Sequence, residues 1–276
     1  MGHDPQVKRV HYYHADASAL GGRLQRPFEQ IVPLQASLSL APAGGYASAD
    51  IGAFRLGTIV SFEAAHTQVS GSETETGSYS TMVTSVVEGL NVLNTLTADR
   101  VVAQISIDHP REGYIPRVNF IGTQFENVRI GGQSVEICLD LDLCNQGDGF
   151  PGQPLTRDEA FLSRVADQRK GMLDGKGIPD WVRERYQWTK ADAQGAKQSV
   201  LCSLVDEIRS KSECGPFPGQ KFGNVFEVPE FGKGFLGELI VDGTAFRLIM
   251  VRLELGCGTK GSMSVGSGGG DGSTSP

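Results

Sequence analysis

Apolar and polar residues alternate along much of this chain, in segments that are separated by glycine. The longest such segment is Ser134–Cys144, in which every second residue from Val135 to Leu143 is apolar. Because successive side chains of a β-strand point to opposite faces, a period of two predicts a strand with one buried and one exposed face. Arg100–Asp108 shows the same period, with apolar residues at its odd positions. A chain with this pattern is expected to fold mainly into β-sheet.

Two dipeptides mark tight turns between such segments. Gly131-Gly132 and Asp242-Gly243 each lie between two short strand-like runs, and both permit the positive φ angles of a two-residue hairpin turn. Further strands are predicted at Arg9–Ala19, Gln35–Leu40, Thr58–Val69, Ser80–Val87, Gln198–Val205 and Gly223–Val228. Short strands joined by glycine-containing turns favour an antiparallel β-sandwich or a distorted barrel.

One segment breaks the β pattern. Thr156-Arg157-Asp158-Glu159 has the residues of a helix capping box, and apolar residues follow it at helical spacing. We therefore predict a helical insertion at residues 156–190 within a single β-rich domain of residues 1–260. We also expect that a short loop can replace this insertion without unfolding the β core. Residues 261–276 are rich in Gly and Ser and lack an apolar pattern, which predicts a flexible tail.

Charge and hydropathy exclude two classes of protein. The formal net charge is −7, and the excess of acidic residues lies within residues 1–150, so nucleic acid is not an expected partner. No stretch of the chain is apolar for long enough to predict a membrane-spanning helix.

The first residues show no signal-peptide pattern. A cytoplasmic protein and an exported protein without its leader therefore both stay open.

Three acidic residues form a candidate calcium site. Asp140, Asp142 and Asp148 are closely spaced beside glycines, and calcium takes six to eight oxygen ligands of this kind. The spacing does not match an EF-hand loop, and Asp also occupies turns for conformational reasons alone. We therefore expect a chain without a cofactor, and calcium bound by these residues is the alternative.

Two of the five cysteines form a candidate disulfide. Cys202 and Cys214 flank a predicted turn and could pair, whereas a straight strand would hold Cys138 and Cys144 too far apart. The alternative is that all five cysteines are small, partly buried hydrophobic residues.

The segment from His11 to Asp16 is the densest cluster of polar and aromatic residues. On a strand, Tyr12, His14 and Asp16 share one face, which brings an imidazole close to a carboxylate. Such a pair can hold a metal or transfer protons, and a solvated strand face is the alternative. His66 and His109 have no activating partner close in sequence.

Several stretches within residues 10–140 combine small residues with sequence that is typical of β-strands. They are Ala15–Gly22, Ala41–Gly45, Gly89–Leu93, Leu96–Val101 and Gly122–Gly132. In these stretches the chain resembles the choice-of-anchor P family of bacterial secreted and surface proteins. The resemblance implies a surface-exposed β domain and brings no catalytic residues with it. It also implies export, and in an oxidising compartment we expect Cys202 and Cys214 to be joined.

Common catalytic motifs such as G-x-S-x-G and H-E-x-x-H are missing from the sequence. We therefore favour a non-catalytic, extracellular or cell-surface structural module that interacts with protein partners or with itself. One alternative is a secreted hydrolase that cleaves polysaccharide with carboxylates of the acidic half. Another is a binder of small apolar ligands.

Overall fold

The computed structural model describes residues 10–147, 149–175, 177–186, 199–211, 215–256 and 258–275. These residues form strands and two short α-helices, with a 3₁₀ turn at Leu155–Arg157. The strands are β1 (Val10–Arg26), β2 (Gln30–Gln35), β3 (Leu38–Ser39), β4 (Gly45–Ile51), β5 (Phe54–Leu56), β6 (Val60–Phe62), β7 (Ala64–Glu73), β8 (Tyr79–Val92), β9 (Leu96–His109), β10 (Arg117–Asn119), β11 (Gln124–Glu126), β12 (Arg129–Ile130), β13 (Gln133–Leu139), β14 (Ser199–Ser203), β15 (Val205–Ser210), β16 (Gln220–Phe222), β17 (Val225–Val228), β18 (Gly232–Asp242), β19 (Ala245–Leu255) and β20 (Lys260–Ser275). The helices are α1 (Glu159–Leu173) and α2 (Asp180–Tyr186).

The strands form two antiparallel sheets, as expected for a β-sandwich. The first sheet has the order β16-β17-β18-β19-β20-β1-β2, with β14 also paired to β18 and β3 to β1. The second has the order β15-β13-β12-β9-β8-β6-β5, with β10 and β11 paired to β9, and β7 paired to β8 and β4. Neither sheet closes on itself within the described residues, so the sandwich is observed and the barrel is not. None of the described helices is long and apolar enough to cross a membrane.

The core lies between β1 and β20 on one side and β7, β8 and β9 on the other. The odd positions of Arg100–Asp108, from Val101 to Ile107, are buried as their period of two predicts. On β1, Ala15, Ala17 and Ala19 point inward and are also buried. Small side chains on β1 allow the two sheets to approach closely in the middle of the sandwich.

Residues 261–276 were expected to be a flexible tail, and this prediction is wrong. The described part of this segment belongs to β20, which pairs with β1 on one side and with β19 on the other. A Cβ atom added at Gly268 would lie 2.5 Å from Val83 Cγ1, and one at Gly270 would lie 3.2 Å from Ile107 Cδ1. Side chains of the second sheet therefore pack directly on the glycine backbone of β20, and this contact needs no apolar pattern in the strand itself.

The predicted helical insertion is present as far as Tyr186, and residues 187–190 lie outside the described part of the chain. Helix α1 belongs to the main core, whereas Val182 and Tyr186 of α2 are buried in a second, smaller hydrophobic cluster. Phe161, Leu162 and Val165 of α1 are buried in the same hydrophobic cluster as the two sheets. This packing contradicts the expectation that a loop could replace the insertion. The cap also differs, because the Asp158 side chain accepts the hydrogen bond from Phe161 N at 2.7 Å, whereas Thr156 lies buried in the preceding 3₁₀ turn.

Strand β13 ends at Leu139, five residues before the predicted end at Cys144. The chain turns there because the Asp140 carboxylate accepts a hydrogen bond from Asp142 N at 3.1 Å. Local bonds of this type compete with the sheet for backbone groups, although the apolar period continues in the sequence. As a consequence Cys144, which was expected on the exposed face, is buried.

Both predicted hairpins are present. Ile130 pairs with Gln133 across the two glycines, which have φ angles of 56° and 81°. In the second hairpin Asp242 pairs with Ala245, so that the turn consists of Gly243-Thr244 and is shifted by one residue from the predicted dipeptide.

Candidate functional site

Tyr12, His14 and Asp16 share the outer face of β1, as their spacing predicts. The histidine and the aspartate do not pair with each other. His14 Nδ1 lies 2.9 Å from Asp271 Oδ1 on β20, and Arg247 on β19 donates to Asp16 at 3.1 Å. Gly269 of β20 lies between Arg247 and Asp16, since it pairs with each of them in the sheet. It has no side chain to keep the guanidinium and the carboxylate apart.

These two contacts border an open cleft of about 240 Å³ on the outer face of the first sheet. The contact with Asp271 occupies Nδ1 of His14 and orients its imidazole. The side chain of His14 is 71 % exposed, which is the environment of a solvated surface pair. The outer face of β1 thus supplies oriented polar groups without a closed pocket around them.

The inner face of β1 carries a second histidine in a very different environment. His11 is 6 % exposed and His109, the last residue of β9, is 3 % exposed. Their ring centroids are 4.9 Å apart. Tyr79 stacks on His11 at 4.4 Å, and Tyr13 meets it edge-on at 4.6 Å. We call these four side chains the imidazole cluster; it lies at the end of the sandwich where β1, β8, β9 and β20 meet.

Most ring nitrogens of the imidazole cluster have no hydrogen-bond partner. His11 Nδ1 contacts Thr274 Oγ1 at 2.9 Å, but His11 Nε2 and both nitrogens of His109 are unpartnered. Burial, followed by repulsion from His11, lowers the pKa of His109 to about 4. The carboxylates of Asp271 and Asp108 and the backbone of Gly272 oppose this shift and are outweighed. Burial also lowers the pKa of His11, so both rings are neutral at pH 7.

The sequence indicated the burial of His109 but not its contact with His11. His109 continues the odd-numbered apolar face of Arg100–Asp108, and the same period of two that buries Ile107 also buries His109. Its partner His11 lies at the other end of the chain, and no local pattern connects the two residues. His66, the other histidine without a partner near in sequence, lies on β7, where its Nδ1 is 2.6 Å from Asp50 Oδ1.

A buried charged network joins α2 to the first sheet. Glu238 accepts from Arg185 Nη2 at 2.5 Å, from Arg252 Nε at 2.6 Å and from the Tyr186 hydroxyl at 3.3 Å. Both guanidinium groups also lie over the ring of Phe235, at 4.6 Å and 3.9 Å. Burial raises the pKa of Tyr186 to about 12. The Glu238 carboxylate is fully engaged in these contacts, and its role is to hold the helix on the sheet.

The predicted calcium ligands are only partly brought together. Asp140 and Asp142 lie in one turn, where the Asp140 carboxylate accepts a backbone N–H, and Asp148 lies outside the described residues. In the described part of the chain, no group of three or more His, Cys, Asp or Glu side chains could hold a metal ion. The hydrogen bond to Asp142 N therefore explains the presence of Asp140 in this turn without a metal ion. Calcium binding stays a prediction.

Asp140 also lines the acidic cleft, an open depression of about 480 Å³ between α1 and the sheet edge. Asp167, Asp206 and Glu207 line it as well, together with Arg164. Carboxylates for the hydrolase alternative would thus come from both halves of the chain rather than from the acidic half alone. Charged side chains border each of the clefts described here, which does not favour a small apolar ligand.

Cys202 is buried and has a free thiol, which donates to Leu239 O at 3.6 Å. Burial raises the pKa of this thiol to about 12. Its predicted partner Cys214 lies outside the described residues, so the Cys202–Cys214 disulfide stays a prediction. Cys138 and Cys144 are also free cysteines.

Three large apolar side chains project into solvent at the edge of the first sheet. Phe28 in the turn before β2 is 78 % exposed, and Ile31 and Leu34 on β2 are 73 % and 61 % exposed. A β-bulge between the pairs Leu20–Gln35 and Gly22–Val32 sets the spacing of three between Ile31 and Leu34. We call these three residues the outer row. They form an uncovered apolar surface along the terminal strand of the sheet, as far as the chain is described.

Comparison with known proteins identifies a protein family that matches most of the chain. The model of a family described as "Domain of unknown function (DUF8256)" matches residues 11–242. No curated protein and no solved structure matches the chain. The matched region ends at the last residue of β18, so β19 and β20, which complete the centre of the first sheet, lie beyond it.

Proposed function

We propose a function from the surface of the chain itself, because the chain belongs to the DUF8256 family, which is defined only as a domain of unknown function. The protein is a non-catalytic interaction module of the cell surface or extracellular space, and it associates with a second copy of itself through the outer row. The exposure of Phe28, Ile31 and Leu34 at the sheet edge is the observation that supports this proposal.

The spacing of the outer row suits a two-fold interface. Ile31 lies midway between Phe28 and Leu34, so an antiparallel copy centred on Ile31 would place Phe28 of each chain opposite Leu34 of the other. Two-fold interfaces require such a self-complementary surface, in which residue i contacts j and j contacts i. Each apolar residue of the row would then be covered by another.

The surroundings of the outer row favour contact through side chains. Pro33 lies within β2 and has no N–H group to donate, which disfavours pairing of the two edges through the backbone. The adjacent ion pair between Arg23 and Glu29 carries no net charge, so a second copy meets no charge repulsion there. The side chain of Leu34 packs on the backbone of Gly21 in the neighbouring strand β1, and this contact fixes its position.

The assignment to the cell surface depends on a different argument. The stretches from Ala15–Gly22 to Gly122–Gly132 resemble a family of bacterial surface proteins, and most of them lie on or beside β1, β8 and β9 in the sandwich. A β-sandwich that presents an apolar edge is suited to lateral association on a surface, where neighbouring copies are held at high effective concentration.

The proposal predicts that Ile31→Asp abolishes self-association. The substitution places two like charges together at the two-fold centre, and since Ile31 is exposed it leaves the core unchanged. Sedimentation velocity over a range of protein concentrations should show a dimer for the original chain and a monomer for Ile31→Asp.

Ile121→Asp is the matched control, because Ile121 is 74 % exposed at a distant turn and should leave the dimer intact. A purely monomeric original chain would overturn the proposal. So would an Ile31→Asp variant that dimerises as strongly as the control, since the contact would then lie elsewhere.

A further inference from the structure

The first end of β1 and the last end of β20 form a two-stranded ribbon that extends beyond its neighbours in the first sheet. β19 pairs with β20 only as far as Gly270, and β3 pairs with β1 only from Asp16 onward. In the part of the chain that the structure describes, Val10–Tyr13 and Gly272–Ser275 therefore have no strand partner except each other. We call these two segments the terminal ribbon.

The imidazole cluster holds the terminal ribbon on the second sheet. His11 and Tyr13 come from the ribbon, while Tyr79 and His109 come from β8 and β9. The rings of His11 and Tyr79 stack with their planes 7° apart. A backbone hydrogen bond from Tyr13 N to Pro42 O, at 2.9 Å, supports the same end of β1. Because a two-stranded ribbon is only marginally stable in water by itself, these contacts determine whether it stays in place.

The imidazole cluster is packed for neutral rings. His11 Nε2 and both ring nitrogens of His109 have no hydrogen-bond partner, although both side chains are more than nine-tenths buried. A Cβ atom at Gly272 would lie 2.6 Å from His11 Nε2 and 2.9 Å from His109 Cε1, so both rings already lie against the backbone of β20. Packing this close leaves no room for water or a counter-ion between the rings and the strand. A proton added to either ring would therefore create a buried charge without solvation.

The carboxylates nearest the two imidazoles have other partners. Asp271 Oδ1 lies 2.9 Å from His14 Nδ1, and Asp108 Oδ2 lies 3.5 Å from Arg117 Nη2. Both carboxylates and the Gly272 backbone favour a protonated His109, yet burial outweighs them and lowers its pKa to about 4.

The remaining titratable groups around the imidazole cluster do not compensate a charged ring either. Burial, followed by Tyr79 and by Glu73 on β7, raises the pKa of Tyr13, so its hydroxyl is neutral at pH 7. Burial also lowers the pKa of His11. With ring centroids 4.9 Å apart, two protonated imidazoles would in addition repel each other.

We propose that protonation of His11 and His109 in acidic solution releases the terminal ribbon from the second sheet while the rest of the sandwich stays folded. In the released state both imidazolium rings reach water and move apart, which removes the two costs of protonation. Since the pKa of His109 is about 4 in the closed state and 6.5 when unperturbed, the closed state is favoured above pH 6.5 and is lost progressively toward pH 4. β2 pairs with the other end of β1, at Leu20–Leu24, so the release is independent of the outer row and of the proposed self-association.

Hydrogen exchange of single backbone amides tests this proposal. The rates are measured by NMR on the full chain at pH 7 and pH 5 and corrected for the intrinsic effect of pH on exchange. Titration of His109 alone should raise the opening equilibrium of the terminal ribbon by about 20-fold between these pH values, and His11 adds to this. The amides of Met250 and Val251, in the middle of β19, should stay protected at both pH values.

The double variant His11→Phe/His109→Phe removes both ionisable rings and keeps their aromatic packing. Protection of its terminal ribbon should therefore be the same at pH 7 and pH 5. His66→Phe is the matched control, because it makes the same substitution at a partly exposed histidine of β7 outside the imidazole cluster. Its ribbon should open in acid as in the original chain.

A second measurement uses the original chain and decides the question even when the double variant fails to fold. During an acid titration, the ¹⁵N shifts of the ring nitrogens of His11 and His109 should change over the pH range in which the terminal ribbon loses protection. Protonation of both rings while the ribbon stays protected would overturn the proposal. It would be overturned equally by unchanged ribbon protection at pH 5, by an equal loss of protection in β19, or by a folded double variant that opens like His66→Phe.

Discussion

At the scale of the single residue, the surroundings of His109 determine the pKa of its imidazole. Its ring lies against His11, and the carboxylates of Asp271 and Asp108 are close enough to favour its protonated form. Burial outweighs both carboxylates and lowers the pKa of His109 to about 4, from 6.5 for an unperturbed histidine. The unfolded chain therefore takes up a proton at a pH where the folded chain does not.

This difference predicts a loss of stability as the pH falls from about 6.5 to about 4, by up to about 3 kcal/mol. Above pH 6.5 the ring is neutral in both states and contributes no pH dependence. Urea unfolding at several pH values, in EDTA, should show a shallower dependence for His109→Phe than for the original chain. His14→Ala, at an exposed position, should behave like the original chain; equal slopes for all three proteins would contradict the prediction.

At the scale of the element, β20 shows how a strand can be buried without apolar side chains. Gly268 and Gly270 face the second sheet, where Val83 and Ile107 occupy the space that side chains would otherwise fill. The strand lies between β19 and β1 and joins the two parts of the first sheet. Its contribution to stability therefore comes from close packing and from hydrogen bonds along both edges.

Gly268→Val is expected to destabilise the protein strongly, although valine is a good strand former. The new Cβ would lie 2.5 Å from Val83 Cγ1 in the packed interior. Overpacking of this kind costs about 1–3 kcal/mol, and more where the backbone must move. Thermal melting should show a lower Tm for Gly268→Val, while Gly52→Ala, whose Cβ has no atom within 4 Å, should melt like the original chain. An unchanged Tm for Gly268→Val would show that the two sheets are farther apart.

At the scale of the whole molecule, the helices and the sandwich form one structure. α1 buries its apolar face in the main core, and Gln168 donates from α1 to Ser203 O at 2.9 Å. α2 is held by the two arginine contacts to Glu238 on β18. The insertion thus covers surface of the sheets that would otherwise be exposed.

Replacement of residues 159–186 by a short loop should therefore unfold the β core or leave it loosely packed. The change exposes the core around Leu204 and Val205 and leaves Glu238 without Arg185. Removal of one partner of a buried ion pair costs about 3–5 kcal/mol when the other charge is left alone, and the loss at Glu238 should be smaller because Arg252 remains bound to it. Near-ultraviolet circular dichroism and thermal melting would test this, with Gly171→Ala on the exposed side of α1 as a control that should keep the fold. A cooperative melt of the deletion variant at the original Tm would contradict it.

The sequence by itself determined the local structure of this protein, because a period of two, a glycine turn and a capping sequence act on neighbouring residues. It predicted the strands around Val101–Ile107, both hairpins, the helical insertion and the shared face of Tyr12, His14 and Asp16. The tertiary structure decided which distant groups meet: Asp271 with His14, His109 with His11, and Arg252 with Glu238. It also decided that the Gly/Ser-rich end is buried, since close backbone packing against a second sheet requires small residues and leaves no apolar pattern to detect.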